Sequence, residues 1–363
     1  MSNFSIENED LCKVLGKMLG EKIAHSSYSV TELQGGGVGD VYLVEGTAEA
    51  ASGEGFPYKV VLKIQNKWLR PGDPDSWRRE YDLYISDLGA VLPDHFRWPK
   101  CYHAEIKGDE IQIWMEYIEG ISGLELTTEM LEEAAYEMGR FQGRLYNRPE
   151  LLQNLTNFGD TGFLKRHYQQ WHNQEYSYDQ LIAEDCPIPD SLKQALKDSK
   201  IVMCGKSFEH SYLRSDVCII PAHLKQMIFD IDDNMDTLFD EIAKLPIVLC
   251  HRDYWNENII YDNGVFCLID WDTSGWGYLG EDLSTLISDD IDYTKFEEFC
   301  ERLIPAYYRG ISEFMDISGI RKKYIREMIL INFGYRMVQA HMFADNDEER
   351  AEQVQKLEKI YNM

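Results

Sequence analysis

Basic residues are scarce in this sequence: 36 Lys and Arg stand against 63 Asp and Glu, a formal net charge of −27. No Lys/Arg-rich patch relieves the deficit, so nucleic acid is excluded as a partner, because gripping a phosphate backbone needs clustered positive charge. Paired cysteines are missing as well. The eight cysteines are scattered without a C-x-x-C pair, which gives no zinc site and predicts reduced thiols. No run approaches the ~18 apolar residues of a membrane span. The opening "MSNFSIENEDLCKV" is acidic and lacks the apolar core of a secretory leader. The expectation is a cytoplasmic protein with no membrane partner. Low-complexity tracts and internal repeats are also lacking.

What is present is a globular composition, 44% hydrophobic and 12% aromatic over 363 residues, enough for a large core and for two lobes. After a short amphipathic helix at Leu11 to Leu19, residues 28–118 alternate in the manner of strands: "YSVTELQ", "DVYLVEG", "YKVVLKI", "CYHAEI" and "IQIWMEYI". One helical stretch interrupts them. "DPDSWRREYDLYISDL" predicts a helix with Asp73 as N-cap, Pro74 at its first position and an apolar stripe of Trp77, Tyr81, Tyr84 and Leu88. From about Thr127 the period turns helical, and 281–362 is almost wholly so. Between 150 and 240 several helices are expected, broken at "CPIPD", in an order the pattern does not reveal. The predicted class is therefore α+β. A small antiparallel-sheet lobe with one helix, residues 1–118, precedes a larger, mainly helical lobe, 119–363, with the joint in "EYIEGISG".

The densest chemistry lies in "LCHRDYWNENIIYDNGVFCLIDWD". "NIIYDNGVFCLID" reads as a hairpin turning at Asp262, Asn263 and Gly264. Pairing Ile259 to Tyr261 with Val265 to Ile269 brings Asn258 and Asp270 to the same end. An amide carbonyl and a carboxylate there suit Mg²⁺, a hard cation that fills its other positions with water and phosphate. Asp253, in the preceding loop, is placed to orient an acceptor hydroxyl and take its proton, as phosphoryl transfer requires.

A phosphate grip is expected upstream. In "LQGGGVGDVYLV", Gly35, Gly36, Gly37 and Gly39 lie between strands, where backbone amides can approach phosphates closely. The same glycines also suit a plain hairpin turn, and Asp40 stands where a G-x-G-x-x-G motif would end. In "YKVVLKI", Lys63 shares a face with Lys59 and Val61, compatible with a solvated lysine. Glu80, however, rides on the apolar side of its helix, an unusual place for a carboxylate without a partner. A Lys63–Glu80 ion pair would satisfy both.

His-x-Asp-x-x-x-x-Asn, a hairpin and then Asp together resemble the catalytic and metal loops of the protein-kinase-like fold. Protein kinases have Phe-Gly after the metal Asp, whereas Trp271 and Asp272 follow Asp270 here. No Ala-Pro-Glu follows, and the connection to "GYLGEDLSTLI" leaves little room for a peptide-docking segment. "IDWD" and "GEDL" make 247–286 similar to the aminoglycoside phosphotransferase and choline kinase superfamily. The resemblance implies Asp253 as catalytic base, with Asn258 and Asp270 as Mg²⁺ ligands and Asp272 assisting the metal. It also implies that Lys63 and Glu80 hold the α and β phosphates, and that backbone at Glu116 to Ile118 receives the adenine edge. His251 would brace the loop and Asp282 would cap the next helix. ATP is the implied nucleotide, with GTP left open.

The implied substrate is a small-molecule alcohol. Tyr254, Trp255, Trp271, Trp276 and Tyr278 near the catalytic loops, with acids at Asp289, Asp290, Asp292, Asp345, Asp347, Glu348 and Glu349, suggest a cationic one. An antibiotic kinase of aminoglycoside type is the first reading. A metabolic kinase acting on choline, ethanolamine or a sugar is the second. The third is a nucleotide binder without catalysis, against which a retained base argues.

Overall fold

The computed structural model describes the chain except residues 1–5, 34–38, 71–72, 74–75, 153–157, 173–175, 187, 205–206 and 321–323. Its strands are β1 (Ile23–Glu32), β2 (Gly39–Ala50), β3 (Gly55–Asn66), β4 (Phe96–Arg97), β5 (Cys101–Lys107), β6 (Glu110–Glu116), β7 (Ile247–Cys250), β8 (Ile259–Asp262), β9 (Val265–Leu268) and β10 (Gly275–Tyr278). Packing divides the chain into two compact units, and the boundaries are not those of one cut after Ile118. The first comprises 1–126, 147–159 and 257–274, and the second 127–146, 160–256 and 275–363.

The first unit is built on an antiparallel sheet ordered β1-β2-β3-β6-β5. Alternation puts Tyr58, Val60, Leu62 and Ile64 of β3 on one face, packed with Leu11, Val14 and Leu15 of helix Asn8–Leu19. On the opposite face Val61 joins Trp77, Ile111, Ile113 and Met115. Lys63 shares that face with Val61.

The expected single helix at 73–88 is three short pieces: turns Ser76–Arg78 and Asp87–Val91 flank a helix of only six residues, Arg79–Tyr84. Asp73 does not cap it. Its carboxylate forks instead onto the buried Arg79 guanidinium at 2.6 and 2.7 Å, a bidentate pair with more to gain in an interior than a cap. Pro74, expected at the first helical position, lies outside the described residues.

β8 and β9 form the expected hairpin, Ile259 opposite Leu268, with Asn263 (φ 48°) and Gly264 (φ 89°) left-handed at the turn. Such a two-residue turn favours Asn-Gly because both positions need positive φ. β4 adds in parallel to β9, which ties the hairpin to the rest of this unit.

In the second unit, helices Thr128–Tyr146 and Phe296–Ser312 cross at two glycines. A Cβ on Gly139 would fall 2.2 Å from the Tyr307 carbonyl oxygen, and one on Gly310 2.2 Å from that of Tyr136. Both contacts are backbone, which cannot swing aside. Gly139→Ala is therefore expected to cost about 3 kcal/mol or more by overpacking, read as a lower denaturant midpoint; an unchanged midpoint would refute the contact.

His341 is fully buried in this unit, 2.9 Å from the Tyr212 hydroxyl. Burial pushes it down to about 4. Unfolded, it would titrate near 6.5, so its contribution is fully present above pH 6.5 and is lost as pH falls towards 4, up to about 3 kcal/mol. Denaturation of His341→Gln should lack that part of the acid sensitivity.

Candidate functional site

In the first unit, the second face of β3 and the open end of the hairpin carry one cluster of charge. Lys63 is only 8% exposed, so it is not a solvated strand lysine. Its ammonium donates to Glu80 and to Asp270, each at 2.6 Å. Burial alone would lower the Lys63 pKa, but the charges of Glu80 and Asp270 overcome it and hold it above its ordinary value. Burial pushes the Glu80 carboxyl up against the pull of Lys63. A charge pair of this kind survives burial only because each partner satisfies the other.

Asn258 and Asp270 meet at the hairpin's open end, where the Ile269 amide donates to the Asn258 carbonyl at 3.0 Å. Asp270 has left-handed backbone, φ 62° and ψ 61°, a strained state for a non-glycine that clusters at functional positions. Asp272 is buried, and its carboxylate lies 3.8 Å from Arg70. Burial, then the charge of Asp270, pushes Asp272 up to about 7. Three carboxylates, Glu80, Asp270 and Asp272, thus share two cations, Lys63 and Arg70. Among the described residues no group of three or more His, Cys, Asp or Glu side chains is placed to hold a metal ion by itself, and Asp270, its side chain 34% exposed, is the most open of these carboxylates.

Glu116 and Ile118 border an open groove of about 800 Å³ in the same unit. The Glu116 side chain has a structural task that its sequence did not suggest: it pairs with Arg97, and its amide donates to the Lys100 carbonyl at 2.9 Å. Gly39 opens β2 opposite Gln65, and a Cβ there would fall 2.6 Å from the Ile64 carbonyl oxygen. Close strand approach accounts for that glycine. Gly35, Gly36 and Gly37 lie outside the described residues.

Asp253 belongs to the second unit, in the loop that follows β7. The loop is fixed from within. His251 is fully buried, and its Nδ1 accepts from the Asp253 amide at 3.3 Å. Arg252 is left-handed, φ 67°. The Asp282 carboxylate accepts the amides of His251 and Arg252 at 2.9 and 2.8 Å, and the Gln142 side chain at 2.9 Å. Asp282 was expected to cap its helix, but Gly280 occupies that position and Asp282 holds the loop instead. Burial pushes its carboxyl up to about 7, while the two backbone donors pull it down. The signal for this role was an Asp in the first turn of an otherwise buried helix.

A cavity of about 510 Å³ opens beside Asp253, lined among others by Trp255, Asp289, Asp290, Arg336 and Lys356. Of the aromatic residues expected to face a cation, Tyr254, Trp271 and Tyr278 are core residues instead. Trp271 packs edge-on against Trp98 and donates to the Leu268 carbonyl. Of the acids, Asp292 caps the turn Tyr293–Lys295, and Asn346 with Glu349 begins the helix Asp347–Tyr361.

A sheet-based unit holding the lysine, glutamate and hairpin carboxylate, with a helical unit holding the His-Arg-Asp loop, defines the protein-kinase-like fold. The chain belongs to the phosphotransferase enzyme family, whose model matches residues 29–315. Human ethanolamine kinase 1 is 29% identical over 108 residues, 27% of this chain. The chain spans about a quarter (24%) of that protein's length. The solved choline kinase of Cryptosporidium parvum Iowa II aligns over 92% of this chain and 89% of its own, at 14% identity and a TM-score of 0.52, a likeness of fold. An ADP-bound aminoglycoside phosphotransferase aligns over 98% of each chain at 16% identity, with a TM-score of 0.46. No helix among the described residues is long and apolar enough to cross a membrane.

Proposed function

We propose that the protein transfers the γ-phosphate of ATP to a hydroxyl of a small-molecule alcohol that carries positive charge. The observation that carries this reading is Lys63, buried and shared between Glu80 and Asp270 at 2.6 Å. A strand lysine kept charged in an interior, at considerable desolvation cost, is well suited to hold phosphate oxygens. Glu80 fixes Lys63 for the α and β phosphates. The glycine segment, Gly35, Gly36, Gly37 and Gly39, covers them, and backbone at Glu116 to Ile118 receives the base. Asn258, Asp270 and Asp272 hold Mg²⁺, which neutralises phosphate charge when bound. Asp253 orients the acceptor hydroxyl and removes its proton as the oxygen attacks phosphorus.

The second reading places the same chemistry on a metabolic amino alcohol rather than an antibiotic, and the match to human ethanolamine kinase 1 favours it. Magnesium-dependent ADP release in the presence of aminoglycosides, choline, ethanolamine and sugar alcohols tests both. Alcohol-dependent release is expected with one class. No alcohol dependence, with nucleotide still bound, would leave a binder and sink the kinase reading.

Asp270→Ala is expected to abolish the magnesium-dependent part of nucleotide affinity. Titration of nucleotide with and without the metal checks this; equal metal dependence in variant and parent would remove Asp270 from the ligand set.

A further inference from the structure

The cavity beside Asp253 carries charge of both signs. Asp289 and Asp290 stand just past the end of helix Glu281–Ser288, while Arg336 and Lys356 project from helices Tyr335–Phe343 and Asp347–Tyr361. Arg336 Nη1 lies 3.3 Å from Asp289 Oδ1, and the guanidinium sits 5.1 Å from the Phe333 ring centroid. The Arg336 side chain is nevertheless 56% exposed. Phe333 belongs to a π-helical turn, Leu330–Gly334, a widening frequent at functional sites. Lys356 Nζ is held 5.1 Å from the Tyr293 ring centroid and 2.7 Å from Glu352. Both cations are therefore positioned rather than trailing in solvent.

Two positioned cations are out of place in a cavity meant only for an ammonium. A like charge facing an ammonium across the same cavity opposes its binding. One long contact to Asp289 uses a fraction of the five guanidinium donors, which can present a two-pronged edge to a second carboxylate. Asp289 and Asp290 supply the opposite sign a few ångströms along the same wall.

We propose that the acceptor is a zwitterionic alcohol, with an ammonium received by Asp289 and Asp290 and an acid group received by Arg336, supported by Lys356. The inference rests on the kinase reading above and assigns Arg336 as its specificity determinant. In the reaction, the alcohol oxygen bonds to the γ-phosphorus, and the bond from that phosphorus to the β–γ bridging oxygen breaks. The hydroxyl proton passes to Asp253 and then to solvent, leaving a phosphate monoester and ADP.

Matched acceptors that differ only by a carboxylate test this on the full chain: serine against ethanolamine, homoserine against 3-aminopropanol, N,N,N-trimethylserine against choline. ADP release with MgATP should give the acid-bearing member of at least one pair a kcat/KM at least tenfold above its partner. Arg336→Gln should lower kcat/KM for that acid at least tenfold more than for the matched amine, chiefly through KM, and Arg336→Lys should restore part of it. Preference for the amines in the parent protein, or equal losses for both members in Arg336→Gln, overturns the proposal and leaves the kinase reading standing. Absence of alcohol-dependent ADP release with every acceptor, nucleotide still bound, overturns the kinase reading itself. Where no pair turns over, calorimetric titration of the acids decides, and absent binding counts against the zwitterion.

Discussion

Replacing Asp253 with Asn is expected to lower phosphoryl transfer by about 10²- to 10⁴-fold, the range lost with a general base, while nucleotide affinity is retained. The substitution keeps the side chain's volume and removes only its capacity to take a proton. The loop should survive it, because its backbone is held by His251 Nδ1 and by the Asp282 carboxylate. Steady-state ADP release beside nucleotide titration separates the two effects. Turnover equal to that of the parent would remove Asp253 from the role of base.

Asp282→Ala is expected to show the largest combined loss, in stability and in activity. Its carboxylate accepts three donors in a fully buried setting. Removing it strands the amides of His251 and Arg252 and one of the Gln142 amide donors, the side chain keeping its bond to the Leu249 carbonyl, and each buried unsatisfied donor costs about 1–3 kcal/mol. The expected sum is about 3–5 kcal/mol, after partial relaxation, with the Asp253 loop released from its strained Arg252 conformation. Asp282→Asn keeps one acceptor oxygen and should fall between, folding at moderate temperature but losing turnover. Denaturant unfolding and kcat measured on both variants check the order. A fully active, stable Asp282→Ala would show that the loop needs no external anchor.

These two residues also show what could be read without coordinates. The β8–β9 hairpin was legible because Asn263 and Gly264 meet a local requirement for positive φ, and a turn of that kind fixes register. The Lys63–Glu80 pair was legible because a glutamate on an apolar stripe needs a partner and β3 offered one. Asp282 was misread as a cap because its true acceptor duty is towards His251 and Arg252, about thirty positions earlier, and pattern within a helix cannot reveal a partner that distant. The same holds for Arg79 and Asp73, whose mutual fork displaced the expected cap, and for Arg97, which engages Glu116. Trp271 and Tyr254 were taken for substrate-facing aromatics because they neighbour the motif, but strand and loop geometry turned them inward. The π-helical turn at Leu330–Gly334 has no sequence signature that periodicity detects.

The stitching of β4 onto β9 has a consequence for how the chain comes into being. The unit that holds Lys63 and Glu80 also needs Glu257 to Ser274, which a ribosome delivers long after the five-stranded sheet has emerged. A nascent chain cut short before Val265 carries the lysine, but neither the complete hairpin nor its partner Asp270. That makes the charge cluster a late event in synthesis, closed across a long stretch of intervening chain, and contacts of such separation form slowly. Until then Lys63 and Glu80 have only each other, so half-made molecules should be poor in nucleotide-metal binding and open to proteolysis at the unpaired edge awaiting β9.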